Sequence, residues 1–232
     1  MRLNKFLARA GVDSRRKCDQ IIKNQKISIN GKVITDFSYQ VKDDDIVLFD
    51  GKYVEIADAP IVYVLNKPKG YVCTSKDPRS RLKVVDLIET NLRLFTIGRL
   101  DRDTTGIILL TNDGDICNYL IHPRYGKEKK YYVKTKGKIE GDFLKKIKNG
   151  YVLDDGLKVK ADIRLMSQSG QNFEWDIALK EGKNREIKRI FSNFDAEVIL
   201  LHRYCFSGIE LKNINSGKYR KLSKEEMKKL IK

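Results

Sequence analysis

The chain has 232 residues and carries 47 Lys and Arg against 31 Asp and Glu, a formal net charge of +16. A surplus that large exceeds what solubility asks for and points to a polyanion, of which nucleic acid is the commonest. No run is long enough for a membrane span, and no Trp/Phe-rich face suggests an interfacial helix, so a membrane partner is not expected. The N-terminus, Met1-Arg2-Leu3-Asn4-Lys5, has no signal-peptide core, which predicts a cytoplasmic protein. Cys18, Cys73, Cys117 and Cys205 form no Cys-x-x-Cys pair and read as reduced thiols. With only His122 and His202 beside them, no metal site is expected.

Residues 1–55 read as one small module. Leu3, Phe6, Leu7 and Ala10 follow helical spacing, and Gly11 ends that helix. Asp13 or Ser14 can cap a second helix whose apolar side is Cys18, Ile21 and Ile22. Residues 26–29 and 32–34 alternate around Asn30-Gly31, a hairpin signal, and residues 46–49 supply another strand. Residues 1–32 hold nine basic residues (Arg2, Lys5, Arg9, Arg15, Arg16, Lys17, Lys23, Lys26 and Lys32) against Asp13 and Asp19. Such clustering suits phosphate contacts better than a merely solvated face. Residues 51–60, with Ala57-Asp58-Ala59-Pro60, read as a linker.

Residues 60–232 read as a larger domain. Strand-like runs fall at 61–66, 95–97, 107–110, 131–135, 159–165, 173–179, 198–201 and 206–211, and helical patterns at 84–89, 115–121, 143–148, 185–191 and 224–230. Their mixing without strict alternation predicts an α+β fold with a mixed, mainly antiparallel sheet flanked by helices. Residues 218–232, with seven basic and two acidic side chains, read as an amphipathic basic helix.

The string Gly98-Arg99-Leu100-Asp101-Arg102-Asp103-Thr104-Thr105-Gly106 lies between two apolar runs, and the second ends in Asn112-Asp113-Gly114. A carboxylate is thereby held in a loop between two strands, where catalytic side chains tend to sit. The string resembles the catalytic motif of the bacterial ribosomal-RNA pseudouridine synthases of the small-subunit synthase A and large-subunit synthase B, E and F type. Three further segments fit in order: Asn66-Lys67-Pro68-Lys69-Gly70, Glu128-Lys129-Lys130-Tyr131-Tyr132-Val133, and Glu181-Gly182-Lys183-Asn184-Arg185-Glu186-Ile187-Lys188-Arg189. Leu201-His202-Arg203 and residues 217–222 also fit. The helix, Ser14-Arg15-Arg16-Lys17, helix, Ile27-Ser28-Ile29-Asn30-Gly31 order resembles the S4 RNA-binding module.

The resemblance implies an enzyme that isomerises uridine to pseudouridine in ribosomal RNA, with no cofactor. It makes Asp101 the nucleophile at C1′ and Tyr131 the residue that stacks on the uracil and helps move the C5 proton. Lys188 takes the place of the basic partner of the catalytic Asp. Many members have Arg there, so a bidentate pair is not available and Arg185 is the substitute. Arg99 takes the place of the arginine that fills the space left by the flipped nucleotide. Arg102, Arg185 and Arg189 join the RNA-binding set, with Arg2, Lys5, Arg15, Arg16 and Lys17 from the N-terminal module. Tyr132 should face the other side of its strand. The expected partner is ribosomal RNA or a ribosome-assembly intermediate, met by a monomer. The Ala10-Gly11-Val12-x-Ser14-Arg15-Arg16-Lys17 and Gly182–Glu186 segments look like the large-subunit synthase B group, whereas Leu65–Cys73 looks more like synthase A. A non-catalytic S4-type RNA-binding or assembly factor is the competing reading, and it leaves the Arg-Leu-Asp loop without a role.

Overall fold

The computed structural model describes residues 1–56, 59–75 and 77–231. The chain forms two compact units. One comprises Met1–Pro60 with Asn91–Arg93 and Asn112–Gly114, the other Ile61–Thr90, Leu94–Thr111 and Asp115–Lys232.

The first unit holds helices α1 (Leu3–Arg9) and α2 (Arg15–Lys23) and the strands β1 (Ile27–Ile29), β2 (Lys32–Val33), β3 (Val47–Phe49) and β4 (Lys52–Tyr53). Ser14 caps α2 by accepting the Lys17 N–H. Asn30 and Gly31 both take positive φ, as the tight hairpin between β1 and β2 requires. Asp50 and Gly51 do the same between β3 and β4. Leu3, Leu7, Cys18, Ile22, Ile27, Ile29 and Val47 are buried together. The linker reading therefore needs correction: Asp50-Gly51 is a second hairpin signal, and Lys52–Tyr53 belongs to the sheet. Ala57 and Asp58 of that stretch lie outside the described residues.

The second unit is built on a nine-stranded sheet. Its strands are β5 (Val62–Lys67), β6 (Phe95–Ile97), β7 (Thr105–Thr111), β8 (Lys129–Lys136), β11 (Asp162–Ser169), β12 (Asn172–Leu179), β13 (Glu197–Phe206), β14 (Ile209–Glu210) and β15 (Tyr219–Lys221). The main path runs β11-β12-β8-β13-β7-β5-β15, with β14 on β13 and β6 on β7. Among these pairs only β13 and β7 run parallel. A separate ribbon pairs β9 (Tyr151–Val152) with β10 (Lys158–Val159). Helices α3 (Gly114–Ile121), α4 (Gly141–Asn149), α5 (Glu186–Ser192) and α6 (Lys224–Ile231) complete the order. Val62, Val64, Ile107, Leu109, Leu120, Phe206, Leu222 and Leu230 belong to one buried cluster of this unit. The α+β expectation with a mixed, mainly antiparallel sheet holds.

Local expectations shift in five places. Residues 84–89 form only a 3₁₀ turn at Val84–Leu87, because β-branched Val84 and Val85 are poor helix formers. Residues 159–165 split into β10 and β11 around Lys160-Ala161. Residues 198–201 lie within one long β13, since His202, Arg203 and Tyr204 continue the strand despite their polarity, and residues 206–211 divide between the end of β13 and β14. Residues 218–232 are not one helix. Tyr219, Arg220 and Lys221 pair with Leu65, Val64 and Tyr63 as β15, and α6 starts at Lys224. Lys232 lies outside the described residues.

The parallel pair β13·β7 meets at Gly106 opposite Arg203. Gly106 has φ +105°, and a Cβ there would stand 2.1 Å from the Arg203 carbonyl oxygen. Gly106→Ala is therefore expected to lower stability by roughly 3 kcal/mol, from left-handed strain plus overpacking. Denaturant unfolding checks this, and a loss under about 0.5 kcal/mol, the usual range of a neutral surface change, would contradict the close approach.

Candidate active site

The site is built from the loop between β6 and β7. Residues 98–104 leave the end of one strand and enter the next, so the loop sits at a sheet margin braced on both sides. Its backbone is pinned at several points. The Leu100 N–H donates to Cys73 Sγ at 3.3 Å, and the Gly70 N–H donates to the Arg102 carbonyl at 2.8 Å. The Thr104 N–H closes a turn on the Asp101 carbonyl at 3.1 Å. Lys67 completes the arrangement. Its side chain has no solvent exposure, and Nζ donates to the carbonyls of Pro68 (3.0 Å), Arg102 (3.1 Å) and Thr104 (2.8 Å). Burial pulls the Lys67 pKa down. Asp101 itself is half-buried and has no ion-pair partner within 4.0 Å among the described residues.

Asp101 lines a cavity of about 800 Å³ together with Arg99, Arg102, Tyr131, Arg185 and Lys188. Six of the sequence-selected residues thus share one site. Tyr131 is 7% exposed on β8, opposite Ile177 of β12 and Arg203 of β13. Tyr132 faces the other side, as expected, with the Lys134 ammonium 5.7 Å from its ring centre. Lys188 is presented by α5, a helix anchored by buried Ile187, Ile190 and Phe191, the last packing on Trp175 of β12 at 5.5 Å. Arg189 points elsewhere: its guanidinium pairs with Asp155 at 2.6 Å and is not among the cavity lining. Arg2, Lys5, Arg15, Arg16 and Lys17 belong to the first unit. Arg2, Arg15, Arg16 and Lys17 are exposed there, and Lys5 is half-buried.

Sequence reasoning did not assign a site role to five charged residues that also line the cavity, Arg81, Lys183, Arg203, Glu186 and Lys129, of which the last three are the most enclosed. Arg203 is 2% exposed, donates from Nε to the Ile107 carbonyl at 2.8 Å, and lies 6.0 Å from the Tyr131 ring and 5.1 Å from Phe206. Glu186 is 3% exposed, and its Oε2 accepts the Lys183 N–H at 2.9 Å. Burial raises its pKa. Lys129 donates to the Lys127 carbonyl at 2.9 Å, and burial, aided by the Arg203 charge, pushes its pKa down to about 8. All three stand inside the motifs already quoted. The signal available was a charged residue in an otherwise apolar strand or at a helix start. Among the described residues no group of three or more His, Cys, Asp and Glu side chains could hold a metal ion, and no helix is long and apolar enough to cross a membrane.

Comparison with known proteins gives the family. The family model described as RNA pseudouridylate synthase matches residues 61–193, and that of the S4 domain matches residues 1–47. The chain belongs to the RNA pseudouridylate synthase family. As such it is an enzyme, an RNA pseudouridine synthase that begins with an S4 domain. It is 37% identical to the ribosomal large subunit pseudouridine synthase B of Bacillus subtilis (strain 168), over 99% of this chain and 95% of that one. It is 33% identical to the dual-specificity RNA pseudouridine synthase RluF of Escherichia coli (strain K12), over 100% of this chain and 79% of the relative. A solved structure described as a pseudouridylate synthase superposes with a TM-score of 0.70 at 27% identity, covering 99% of both chains.

The Lys129 environment gives a test of the site's electrostatics. In the folded synthase the amine titrates at about 8, against ~10.4 in an unfolded chain. Between those values the unfolded state binds more protons, so stability rises with pH across that window. Below it both states carry the charge, and the full cost of burying the ammonium is present. The unfolding midpoint of wild type, relative to Lys129→Met, should therefore rise from pH 8 towards pH 10. A pH-independent difference would place the ammonium in water.

Proposed function

We propose that this synthase isomerises uridine to pseudouridine in ribosomal RNA, with a large-subunit site favoured and a small-subunit site second. The observation that carries the reading is Asp101 on a pinned loop, in one cavity with Tyr131. The relatives named as a ribosomal large subunit pseudouridine synthase and a dual-specificity RNA pseudouridine synthase support the choice of substrate. The chain would work as a monomer in the cytoplasm.

The residues divide the work as follows. The Asp101 carboxylate meets C1′, where it forms an adduct or stabilises charge as the N1–C1′ bond breaks. The freed uracil turns and C5 joins C1′, and any C1′–O bond to Asp101 breaks to return the carboxylate. The proton lost from C5 balances the one gained at N1, so the reaction is an isomerisation. Tyr131 stacks on the flipped base and assists at C5. Lys188, or Arg185 in its place, holds positive charge in the cavity with Asp101 and orients its carboxylate. Arg99 and Arg102, both exposed at the cavity, suit the RNA backbone and the space left by the target nucleotide.

The N-terminal unit would bind phosphates. Arg15, Arg16 and Lys17 occupy the first turn of α2, where no acidic residue stands. Positive side chains oppose the helix dipole there, and an RNA phosphate would relieve both. A purely binding role for the whole chain leaves the Asp101 cavity unused.

Asp101→Asn is expected to cut turnover on the order of 10³-fold or more while RNA affinity stays nearly constant. Tritium release from 5-[³H]-uridine RNA beside a binding assay measures both, with mass spectrometry to exclude deamidation. Substantial turnover by the Asn variant would remove Asp101 from the chemistry. The double charge reversal Arg15→Glu, Arg16→Glu should weaken RNA binding and flatten the slope of log affinity against log salt by about 1.5, the share of two phosphate contacts. An unaltered slope would make that face a solvated surface only.

A further inference from the structure

Four buried side-chain polar atoms lack a hydrogen-bond partner among the described residues, and three of them belong to residues lining the Asp101 cavity. They are Thr104 Oγ1, Glu186 Oε1 and Arg203 Nη2. The three residues are only 2%, 3% and 2% exposed. A buried polar atom left unpaired carries a desolvation cost, and three of them around one cavity call for a common explanation.

Each group is also fixed in place. Arg203 is tied through Nε to the Ile107 carbonyl and flanked by the Tyr131 and Phe206 rings. Glu186 is tied through Oε2 to the Lys183 N–H at the start of α5. Thr104 has its N–H on the Asp101 carbonyl and its own carbonyl on Lys67. The free atoms are therefore preorganised, which is what recognition of a small planar ligand needs.

Their chemistry is complementary to one base. Arg203 Nη2 can only donate, an ionised Glu186 Oε1 can only accept, and the Thr104 hydroxyl can do either. The pairing edge of uracil presents two acceptors, O4 and O2, with the N3–H donor between them. Cytosine presents a bare N3 and an amino group, which would set a lone pair against the carboxylate and a donor against the guanidinium. We propose that Glu186 Oε1 accepts the N3–H of the target uracil and that Arg203 Nη2 and Thr104 Oγ1 donate to its two carbonyl oxygens. These residues set specificity for uridine, and the assignment rests on the reading of the chain as a uridine isomerase.

The test uses the full chain and an rRNA transcript that wild type modifies. The target uridine is left intact, replaced by N3-methyluridine, which lacks the donor, or replaced by 4-thiouridine, whose sulfur is a poor acceptor. Wild type should lose about 100-fold or more in kcat/KM on the methylated target, whereas Glu186→Ala, already slow on uridine, should lose less than about 3-fold more. Arg203→Lys keeps the charge and loses the fork. It should fall about 10- to 100-fold in kcat on uridine with RNA affinity unchanged, and should be insensitive to sulfur at position 4. Glu186→Gln retains the Lys183 contact, and with Arg203→Lys it carries the comparison if Glu186→Ala does not fold. Equal penalties in variant and wild type would overturn the inference, leaving those atoms to bound water. A wild-type chain inert on every rRNA transcript would overturn the isomerase reading itself, and the inference with it.

Discussion

The Lys67 ammonium is the interaction on which the site depends. It is a charge without solvent exposure, and three carbonyl oxygens take the place of its water shell. Two of those carbonyls, at Arg102 and Thr104, lie in the loop that carries Asp101, and the third is Lys67's own neighbour Pro68. An ammonium so placed converts a surface loop into a fixed element, because releasing the loop would strand a buried charge. The Lys-Pro-Lys-Gly segment, which reads as a plain turn in isolation, is thus the socket for the loop that carries Asp101. Proline has no N–H, so Pro68 offers its carbonyl alone.

A second constraint comes from the strands below. Gly106 lets the Arg203 backbone approach where any side chain would collide. That approach joins β7, which follows the Asp101 loop, to β13, whose other neighbour β8 carries Tyr131. The Arg203 guanidinium then reaches a carbonyl of β7 and the face of Tyr131. Asp101 and Tyr131 are positioned by one strand between them. Nearby, Glu186 is buried and Lys129 half-buried, and burial raises the pKa of the first and lowers that of the second. Such shifts cluster where function, rather than stability, decides the residue.

Much of this was legible in the chain. Turn chemistry at Asn30-Gly31 and apolar alternation located the N-terminal hairpin, and the run from Gly98 to Gly106 located the loop with Asp101. Elements failed to show where hydrophobicity and burial part company. β13 carries Arg203 in its interior, and a buried arginine looks like a break in a strand. β15 is three residues long and polar, so it vanished into the basic C-terminal stretch. The Arg189 ion pair did not show either, because its partner Asp155 lies 34 residues away, in a turn that periodicity does not mark. The roles of Lys67, Lys129 and Glu186 depend on which carbonyls and charges surround them, and only the tertiary structure places those.

The Asp101 loop also shows how rigidity and reactivity are separated. Its backbone is held by Cys73, Gly70 and Lys67, so the φ and ψ angles around Asp101 have little freedom. The carboxylate remains half-buried and outside every ion pair among the described residues. A carboxylate locked to an arginine would have its lone pairs occupied and its nucleophilicity reduced. Here the positive charge is distributed around the cavity, on Arg99, Arg102, Arg185, Lys188 and Arg203. That arrangement favours an anion in the site without spending any one oxygen on a fixed partner. The stability forgone by leaving atoms unpaired at the cavity is what keeps them available to a substrate.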